Sequence, residues 1–227
     1  MSISLHQIVP WGRTRKEYEL MFALASADLS RGVLDCGGGP AGFTAEACAA
    51  GISAVAVDPI YVFAGAGIRA RFETVAGPML DQVRATPDDW TWTFHRDPDD
   101  LLANRRAALE MFLADYDAGL RAGRYLTGEL PSLPFADGAF GLALCSHLLF
   151  LYSDLLGEEF HVQALLELCR VAREVRVFPL LTLRGSWSPH VEPARAALKS
   201  AGWSSEVVKV GYELQRGGNE MLRVTRA

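Results

Sequence analysis

A run of glycines near the start of the chain carries the strongest chemical signal in the sequence. Residues 33–35 are typical of a short buried strand, and the glycine-rich residues 37–42 separate it from a helix that opens at Phe43. Such a turn lets a ligand touch the backbone, and the helix N-terminus adds a positive field. The turn matches G-x-G-x-x-G, a pattern typical of dinucleotide sites, although a tight turn without a ligand needs the same residues.

A carboxylate stands at the end of the next predicted strand. Residues 54–57 are apolar, and Asp58 follows them directly. Because parallel strands present their carboxyl ends at one edge of a sheet, we expect Asp58 to lie beside the glycine turn. A carboxylate at this place can accept hydrogen bonds from both hydroxyls of a ribose. The two features together predict a cofactor that contains a ribose.

Two further features identify the kind of cofactor. Asp35 precedes the first glycine by two positions, and residues 128–140, GELPSLPFADGAF, follow a predicted third strand. With these motifs the chain resembles the class I S-adenosylmethionine-dependent methyltransferase family, and within it an uncharacterised bacterial methyltransferase-like subgroup with a Pro-Trp-Gly-Arg N-terminus. The resemblance covers residues 31–59 and 124–152 well, and beyond Glu158 it is one of general topology. The chain departs from the family pattern at Ala41 and Gly141, and it lacks the Leu-Lys-Pro-Gly-Gly turn before the fifth strand.

The resemblance implies an S-adenosylmethionine site, with S-adenosylhomocysteine as the product. It places Asp35 near the amino group of the ligand, directly or through water, and Asp58 at the ribose hydroxyls. Glu129 would lie near the adenine amino group, with the Leu130 backbone beside it. The other implied cofactor contacts are Gly37, Gly38, Gly39, Pro59 and Ser146.

Two side chains near the predicted mouth of the site are candidates for catalysis. His147 follows the fourth strand and can take a proton from an acceptor hydroxyl or amine, and Tyr152 is the second candidate. A packed or capping histidine would occupy the same position. His95, with its aromatic neighbours Trp90 and Trp92, either lines an acceptor pocket or packs within a loop.

The N-terminal residues 7–13 are unusually apolar for a free tail and predict a segment that folds over another part of the molecule. One hypothesis is that this segment closes the cofactor site and brings Arg13 to the cofactor carboxylate, which suits a guanidinium with paired N–H donors. The alternative is that this segment only packs along the protein surface, away from the cofactor site.

These residues must be positioned by an α/β fold. Short apolar runs alternate with helical patterns, which predicts a parallel sheet with helices on both faces. We expect a Rossmann-like, doubly wound sheet, and the resemblance implies seven strands, mostly parallel, with the last one antiparallel. A single domain spans residues 1–227, with an N-terminal cap segment at 1–30 and a helical insertion or lid at 64–124 after the second strand. Within it we predict helices at 14–25, 69–83 and 101–120.

The composition limits the function further. The 227 residues carry a formal net charge of −5, which argues against general nucleic-acid binding and favours a small-molecule acceptor. No metal site, signal peptide or membrane span is predicted, and the cysteines indicate a reducing, cytoplasmic compartment with three of the four buried as small hydrophobes. Most of a set of scattered arginines are expected on a solvated face: Arg13, Arg15, Arg69, Arg71, Arg105 and Arg106.

Two other functions stay open alongside a methyltransferase. A non-catalytic module that binds S-adenosylmethionine or a protein partner would show the same cofactor motifs without turnover. An NAD-dependent oxidoreductase would share the glycine turn, but it predicts a catalytic Tyr-x-x-x-Lys or a similar pair. The three lysines of the chain, Lys16, Lys199 and Lys209, do not provide that spacing.

Overall fold

Seven strands form one twisted sheet through the middle of the protein, whose structure is a computed structural model describing residues 8–227. The strands are β1 (Val33–Cys36), β2 (Ala54–Val57), β3 (Tyr125–Leu126), β4 (Leu142–Ser146), β5 (Glu174–Phe178), β6 (Trp203–Lys209) and β7 (Glu220–Arg226). Their spatial order is β3-β2-β1-β4-β5-β7-β6. Strands β1 to β5 pair in parallel, and β7 is antiparallel to both of its neighbours. The predicted doubly wound sheet with a reversed last strand is therefore confirmed.

Helices cover both faces of this sheet. They are α1 (Arg15–Met21), α2 (Ser26–Leu29), α3 (Phe43–Ala49), α4 (Gly65–Ala85), α5 (Pro98–Arg121), α6 (Glu158–Val171) and α7 (Val191–Ser200). One core lies where α6 and α7 pack on the sheet, and a second lies where α1 and α3 pack on the opposite face. Successive residues of one strand point to opposite faces of the sheet, so that Leu34 of β1 packs in the first core and Val33 in the second.

The helical insertion after β2 is present and consists mainly of α4 and α5. The Asp97 side chain caps α5 by accepting a hydrogen bond from the Asp100 N–H at 2.8 Å, and Pro98 occupies the first helical position. Both helices extend a few residues beyond their predicted bounds. Their aromatic side chains Phe72, Phe112 and Tyr116 pack against the β2–β3 edge of the sheet, which fixes the insertion beside the carboxyl ends of these strands.

The predicted helix over residues 14–25 ends early, because α1 stops at Met21 and α2 begins only at Ser26. Ala23 adopts a left-handed backbone conformation with φ of 47°. The Phe22 carbonyl accepts a hydrogen bond at 2.8 Å from the buried Arg176 guanidinium on β5. This long-range bond takes the place of a further helical turn, and no local sequence pattern reveals it.

All four cysteines are free thiols, and Cys36, Cys145 and Cys169 are buried as predicted. Within residues 8–227, no helix is both long enough and apolar enough to cross a membrane.

Candidate functional site

A cavity of about 560 Å³ opens at the carboxyl ends of β1 to β4. This volume is typical of sites for small molecules and cofactors. Most of the predicted cofactor residues line it, together with the candidate base His147: Arg13, Gly37, Gly38, Gly39, Asp58, Pro59, Glu129, Leu130 and Ser146. The structure thus brings residues from four loops and the N-terminal segment to one place.

The glycine turn needs glycine for two separate reasons. Gly37 and Gly39 have φ angles of 72° and 56°, which side-chain-bearing residues rarely adopt. At Gly38 the angle is not the constraint, but a Cβ there would collide with Oδ2 of Asp35. The turn therefore presents bare backbone to the cavity, directly above a buried carboxylate.

Asp35 itself is only 1% exposed and does not line the cavity. Its Oδ1 accepts a hydrogen bond from the Tyr18 hydroxyl at 3.0 Å. Burial raises the pKa of Asp35 to about 7; the Tyr18 hydrogen bond opposes that rise, and the negative charge of Asp58 adds to it. A cation placed over the turn would favour the ionised form of this carboxyl.

Asp58 projects from the end of β2 into the cavity. Its Oδ2 accepts from the Gly39 N–H at 2.9 Å, and its Oδ1 accepts from the Ile60 N–H at 2.8 Å. Each oxygen keeps a further lone pair that can accept from a ligand hydroxyl. Burial raises the pKa of Asp58 to about 6, although the two backbone hydrogen bonds lower it in part. The carboxyl is therefore mostly ionised at neutral pH.

The glycine turn is also held by Tyr61, a residue that the sequence analysis did not predict to be part of the site. Tyr61 is buried, and its hydroxyl donates a hydrogen bond at 2.8 Å to the carbonyl of Gly39. Tyr61 lies just after Asp58, in a short 3₁₀ helix. Its closeness in sequence to Asp58 was the only signal available in the sequence.

His147 lies directly after β4 in a left-handed conformation with φ of 53°. Strained non-glycine backbone of this kind is a reason to suspect a functional role. The ring Nδ1 of His147 is hydrogen-bonded to the Ser146 hydroxyl at 2.9 Å, and the backbone N–H of His147 donates to the Phe178 carbonyl at 2.6 Å. Burial and the positive charges of Arg13 and Arg105 hold the pKa of His147 well below its usual range. The ring is therefore neutral at pH 7, and the same burial and charges make it a weaker base than a free imidazole.

The N-terminal segment from Val9 to Arg13 crosses the cavity as a strap. A Cβ at Gly12 would collide with the Pro40 carbonyl, and the Arg13 carbonyl accepts from the Gly42 N–H at 2.9 Å. The Tyr152 hydroxyl accepts from the Val9 N–H at 3.2 Å. The strap is thus attached to the glycine turn at one end and to Tyr152 at the other; residues 1–7 of the predicted cap segment lie outside the described residues.

A buried ionic cluster lies behind His147, and it corrects the placing of Arg105 on a solvated face. Arg105 is 1% exposed, and its Nη1 donates to the two carboxylate oxygens of Glu17 at 2.7 and 2.9 Å. The Tyr212 hydroxyl donates to Glu17 at 3.0 Å, and His95 Nε2 lies 3.3 Å from the same oxygen. The i, i+4 spacing of Leu101, Arg105 and Leu109 marked this position as buried, which was the signal available in the sequence.

A second cavity, of about 80 Å³, adjoins the first. The two cavities share four wall residues, which are Val9, Trp11, Arg13 and His147. Trp90, from the aromatic loop before α5, lines the smaller cavity, whereas His95 points into the ionic cluster. The strap and His147 together form the partition between the two spaces.

Comparisons with known proteins give similarity over the whole chain. No family model matches it. An uncharacterised protein of Methanocaldococcus jannaschii is 29% identical over 225 residues, which cover 99% of both chains. Among solved structures, the magnesium protoporphyrin IX methyltransferase of Synechocystis PCC 6803 has 12% identity and a TM-score of 0.44, covering 87% of this chain and 71% of that one. A mitomycin 7-O-methyltransferase has 16% identity and a TM-score of 0.49, and 94% of this chain spans about half, 54%, of its length.

Proposed function

We propose that this chain is a class I S-adenosylmethionine-dependent methyltransferase whose acceptor is a small molecule. The observation that carries the proposal is the pairing of Asp58 with the glycine turn. The Gly39 N–H positions a carboxylate that keeps free lone pairs, at the carboxyl ends of parallel strands where ligands bind in doubly wound sheets. The similarities to solved methyltransferases are compatible with this function but do not carry it.

The residues present fit the cofactor. Asp58 suits the two ribose hydroxyls, and the bare backbone at Gly37 to Gly39 leaves room for the methionine part. Glu129 and Leu130 line the same cavity on the side of β3, where the adenine would lie. Four free cysteines fit a reducing compartment, which supports a cytoplasmic location.

Bound S-adenosylmethionine would supply an electrophilic methyl group and a good leaving group. The work left to the protein is mainly positioning, because in-line displacement needs the acceptor atom aligned with the methyl carbon. The strap excludes water from one side of the site, and His147 can hold the proton that an acceptor hydroxyl loses. Tyr152 anchors the strap through Val9, so we propose that it positions the strap and does not itself transfer protons.

The two alternative functions make different predictions. A hydride-transferring enzyme needs a proton donor beside the nicotinamide, and none of the three lysines lines either cavity. A non-catalytic binding module would bind the cofactor but would never form S-adenosylhomocysteine. It would also have no need for a strained, neutral histidine between two cavities.

Titration calorimetry of the full chain with S-adenosylhomocysteine, and separately with NAD, tests the proposal. We expect binding of S-adenosylhomocysteine and no measurable heat from NAD. Binding of NAD alone would contradict the proposed function. Binding of S-adenosylhomocysteine without turnover of S-adenosylmethionine in any acceptor screen would favour the non-catalytic module.

Replacing Arg13 by methionine should weaken S-adenosylhomocysteine binding about 10- to 100-fold. Burial and the charge of Arg105 lower the pKa of Arg13 to about 10, so the group stays charged at neutral pH. Among residues 8–227 it forms no ion pair, and its Nε is buried without a hydrogen-bond partner. We therefore propose that it receives the carboxylate of the cofactor. Calorimetry with 5′-methylthioadenosine, which lacks the amino-acid part, should show no change in affinity.

The matched control for this variant is Arg15→Met, because the Arg15 side chain pairs with Glu19 on the surface. That variant should bind both ligands as the unaltered protein does. Equal losses for both ligands in Arg13→Met would mean that Arg13 supports the structure and not the carboxylate.

A further inference from the structure

The wall of the larger cavity that faces the insertion contains residues that the proposed cofactor contacts do not use. Arg71, Thr74 and Val75 lie three or four positions apart on α4, so they share one face of the helix, and all three line the cavity. Phe63, just before this helix, lines it as well. Because Phe63, Arg71 and Thr74 are exposed, the cavity opens to solvent between them, and we call this opening the mouth. The volume of about 560 Å³ suits one cofactor-sized ligand, so a second ligand would lie mainly in the mouth.

Arg71 is a cation without a counter-charge. The other arginines of α4 and α5 form ion pairs, except Arg121 at the C-terminal end of α5. Arg71 forms no ion pair with any described residue; its guanidinium carbon lies 3.4 Å from the centre of the Phe63 ring, and Nη1 donates to the Gly67 carbonyl at 3.2 Å. Stacking on the ring positions the guanidinium and leaves most of its N–H donors free. An anionic group on a ligand in the mouth would satisfy them.

A second donor in the cavity wall also lacks a partner. The Nε1–H of Trp11 is buried and has no hydrogen-bond acceptor within the described part of the chain. Trp11 lines the cavity and packs in the same apolar cluster as Val75, which lies one helical turn from Arg71. Buried donors are nearly always paired, so an unpaired one in this wall indicates an acceptor atom supplied by a ligand.

Exposed apolar side chains surround the opening of the cavity. Seven large apolar side chains are exposed among residues 8–227. Ile8 and Phe63 belong to the cavity wall, with exposures of 47% and 38%, and Val62 and Leu155 are the chain neighbours of wall residues. Four of the seven therefore lie in or next to this wall. Such side chains mark a binding surface when they are gathered in one place, whereas scattered ones need no explanation.

We propose that the mouth is the acceptor site, and that the acceptor is an apolar molecule that carries an anionic group such as a carboxylate. The anion pairs with Arg71, and the apolar part covers Phe63 and Ile8. The carboxylate of the cofactor is assigned to Arg13, so the two anions do not compete for one cation. This inference rests on the methyltransferase function proposed above.

Two dyes with the same ring system test the proposal. The first, 8-anilino-1-naphthalenesulfonate, is an apolar anion that fluoresces in apolar surroundings, and N-phenyl-1-naphthylamine is its counterpart without the charge. The full chain saturated with S-adenosylhomocysteine should bind the sulfonate dye at one site with a Kd of about 100 μM or tighter. Arg71→Met should weaken binding of the sulfonate dye at least about 5-fold. The affinities for the neutral dye and for S-adenosylhomocysteine should change by less than about twofold.

The chain offers matched controls for both halves of the site. Arg121→Met removes another exposed arginine that has no ion pair among the described residues, but Arg121 lines neither cavity, so both dyes should bind normally. Arg71→Lys keeps the charge and should recover part of the affinity for the sulfonate dye. Phe63→Ala should weaken both dyes about 3- to 10-fold. Trp187→Ala, which removes an aromatic side chain of 40% exposure outside both cavities, should weaken neither.

A turnover screen with S-adenosylmethionine tests the class of acceptor directly. Acceptors that carry a carboxylate should form S-adenosylhomocysteine at least about 10-fold faster than their neutral amides. The reverse order would overturn the anionic class.

The other outcomes separate this inference from the methyltransferase function. Unchanged affinity of Arg71→Met for the sulfonate dye would overturn the anion site. Displacement of the dye by S-adenosylhomocysteine, or weaker binding of S-adenosylhomocysteine in Arg71→Met, would assign Arg71 to the cofactor and overturn the acceptor site. Sedimentation of the chain with phosphatidylglycerol vesicles, lost in Arg71→Met, would overturn the small molecule in favour of a lipid surface. Failure to bind S-adenosylhomocysteine at all would overturn the methyltransferase function and the acceptor role, even if the dye still bound through Arg71.

Discussion

Replacing Asp58 by alanine should weaken S-adenosylhomocysteine binding about 100-fold. Hydrogen bonds to charged groups contribute about 1.5–3 kcal/mol each, so two ribose hydroxyls on one carboxylate account for about 3 kcal/mol, or about two powers of ten. The same loss should appear with 5′-methylthioadenosine, because that ligand keeps the ribose. This pattern distinguishes Asp58 from Arg13, whose replacement should affect only the ligand with a carboxylate.

The structure supplies both a graded variant and a control. Asp58→Asn keeps an oxygen that can accept from the Gly39 N–H but removes the charge, so its affinity should lie between those of Asp58→Ala and the unaltered protein. Asp88→Ala removes an exposed carboxylate outside both cavities and should bind normally. If all three variants bind alike, Asp58 holds only the glycine turn, and the ribose must lie elsewhere.

The pH dependence of binding provides an independent check on the same residue. Burial raises the pKa values of Asp58 and Asp35 to about 6 and about 7. Both groups are ionised above these values, and the ionised forms accept hydrogen bonds from a ribose and attract an ammonium group more strongly. Affinity should therefore be highest above pH 7 and fall as the pH decreases through 7 and 6. Asp58→Asn should lose part of this dependence, whereas a uniform profile would contradict both assignments.

The parts of this site that were predictable from sequence are those encoded locally. The glycine turn and Asp58 sit at strand ends, where short patterns fix both the backbone and the direction of the side chain. The contacts that were missed join distant segments: Tyr18 to Asp35, Tyr61 to Gly39, and the Phe22 carbonyl to Arg176. These depend on which helix packs on which strand, and the chain contains no local signal for that choice.

The most instructive error is the prediction that Arg105 lies on a solvated face, because its side chain is buried. An arginine flanked by acids and other arginines is typical of a solvated helix face, and charged residues are seldom fully buried without a partner. The partner, Glu17, is 88 positions away. Only the apolar spacing on α5 indicated that the residue points inward, and that spacing outweighs the composition of its neighbours.

Replacing Glu17 by glutamine should destabilise the protein by about 3–5 kcal/mol, the usual effect of removing one member of a buried ion pair. Arg105 would keep its charge in the interior, and Arg13 would add a second positive charge nearby. In a chain of this length the loss corresponds to a fall in Tm of roughly 6–20 °C. Thermal unfolding monitored by circular dichroism measures it. Glu19→Gln, on the same helix but in a surface pair with Arg15, should change Tm by little.

The sign of the pH dependence follows from the state of Glu17. Burial opposes its ionisation, but the charge of Arg105 and hydrogen bonds from His95 and Thr14 outweigh burial and hold the pKa of Glu17 well below its usual range. The stabilisation is therefore fully present above the unfolded pKa of about 4.5 and is lost as the pH falls towards the folded value. The stability difference between the unaltered protein and Glu17→Gln should be constant from pH 8 to about 5 and shrink below that.

A double variant decides whether the ion pair itself or the uncompensated charge determines stability. Glu17→Gln combined with Arg105→Met removes both charges and fills the space with an apolar chain, so it should recover part of the stability lost in Glu17→Gln alone. If the double variant is less stable than both Glu17→Gln and Arg105→Met, the hydrogen bonds of the cluster contribute more to stability than its charges. Recovery of stability would mean instead that the unpaired charge of Arg105, and not the loss of the cluster's hydrogen bonds, accounts for the destabilisation in Glu17→Gln.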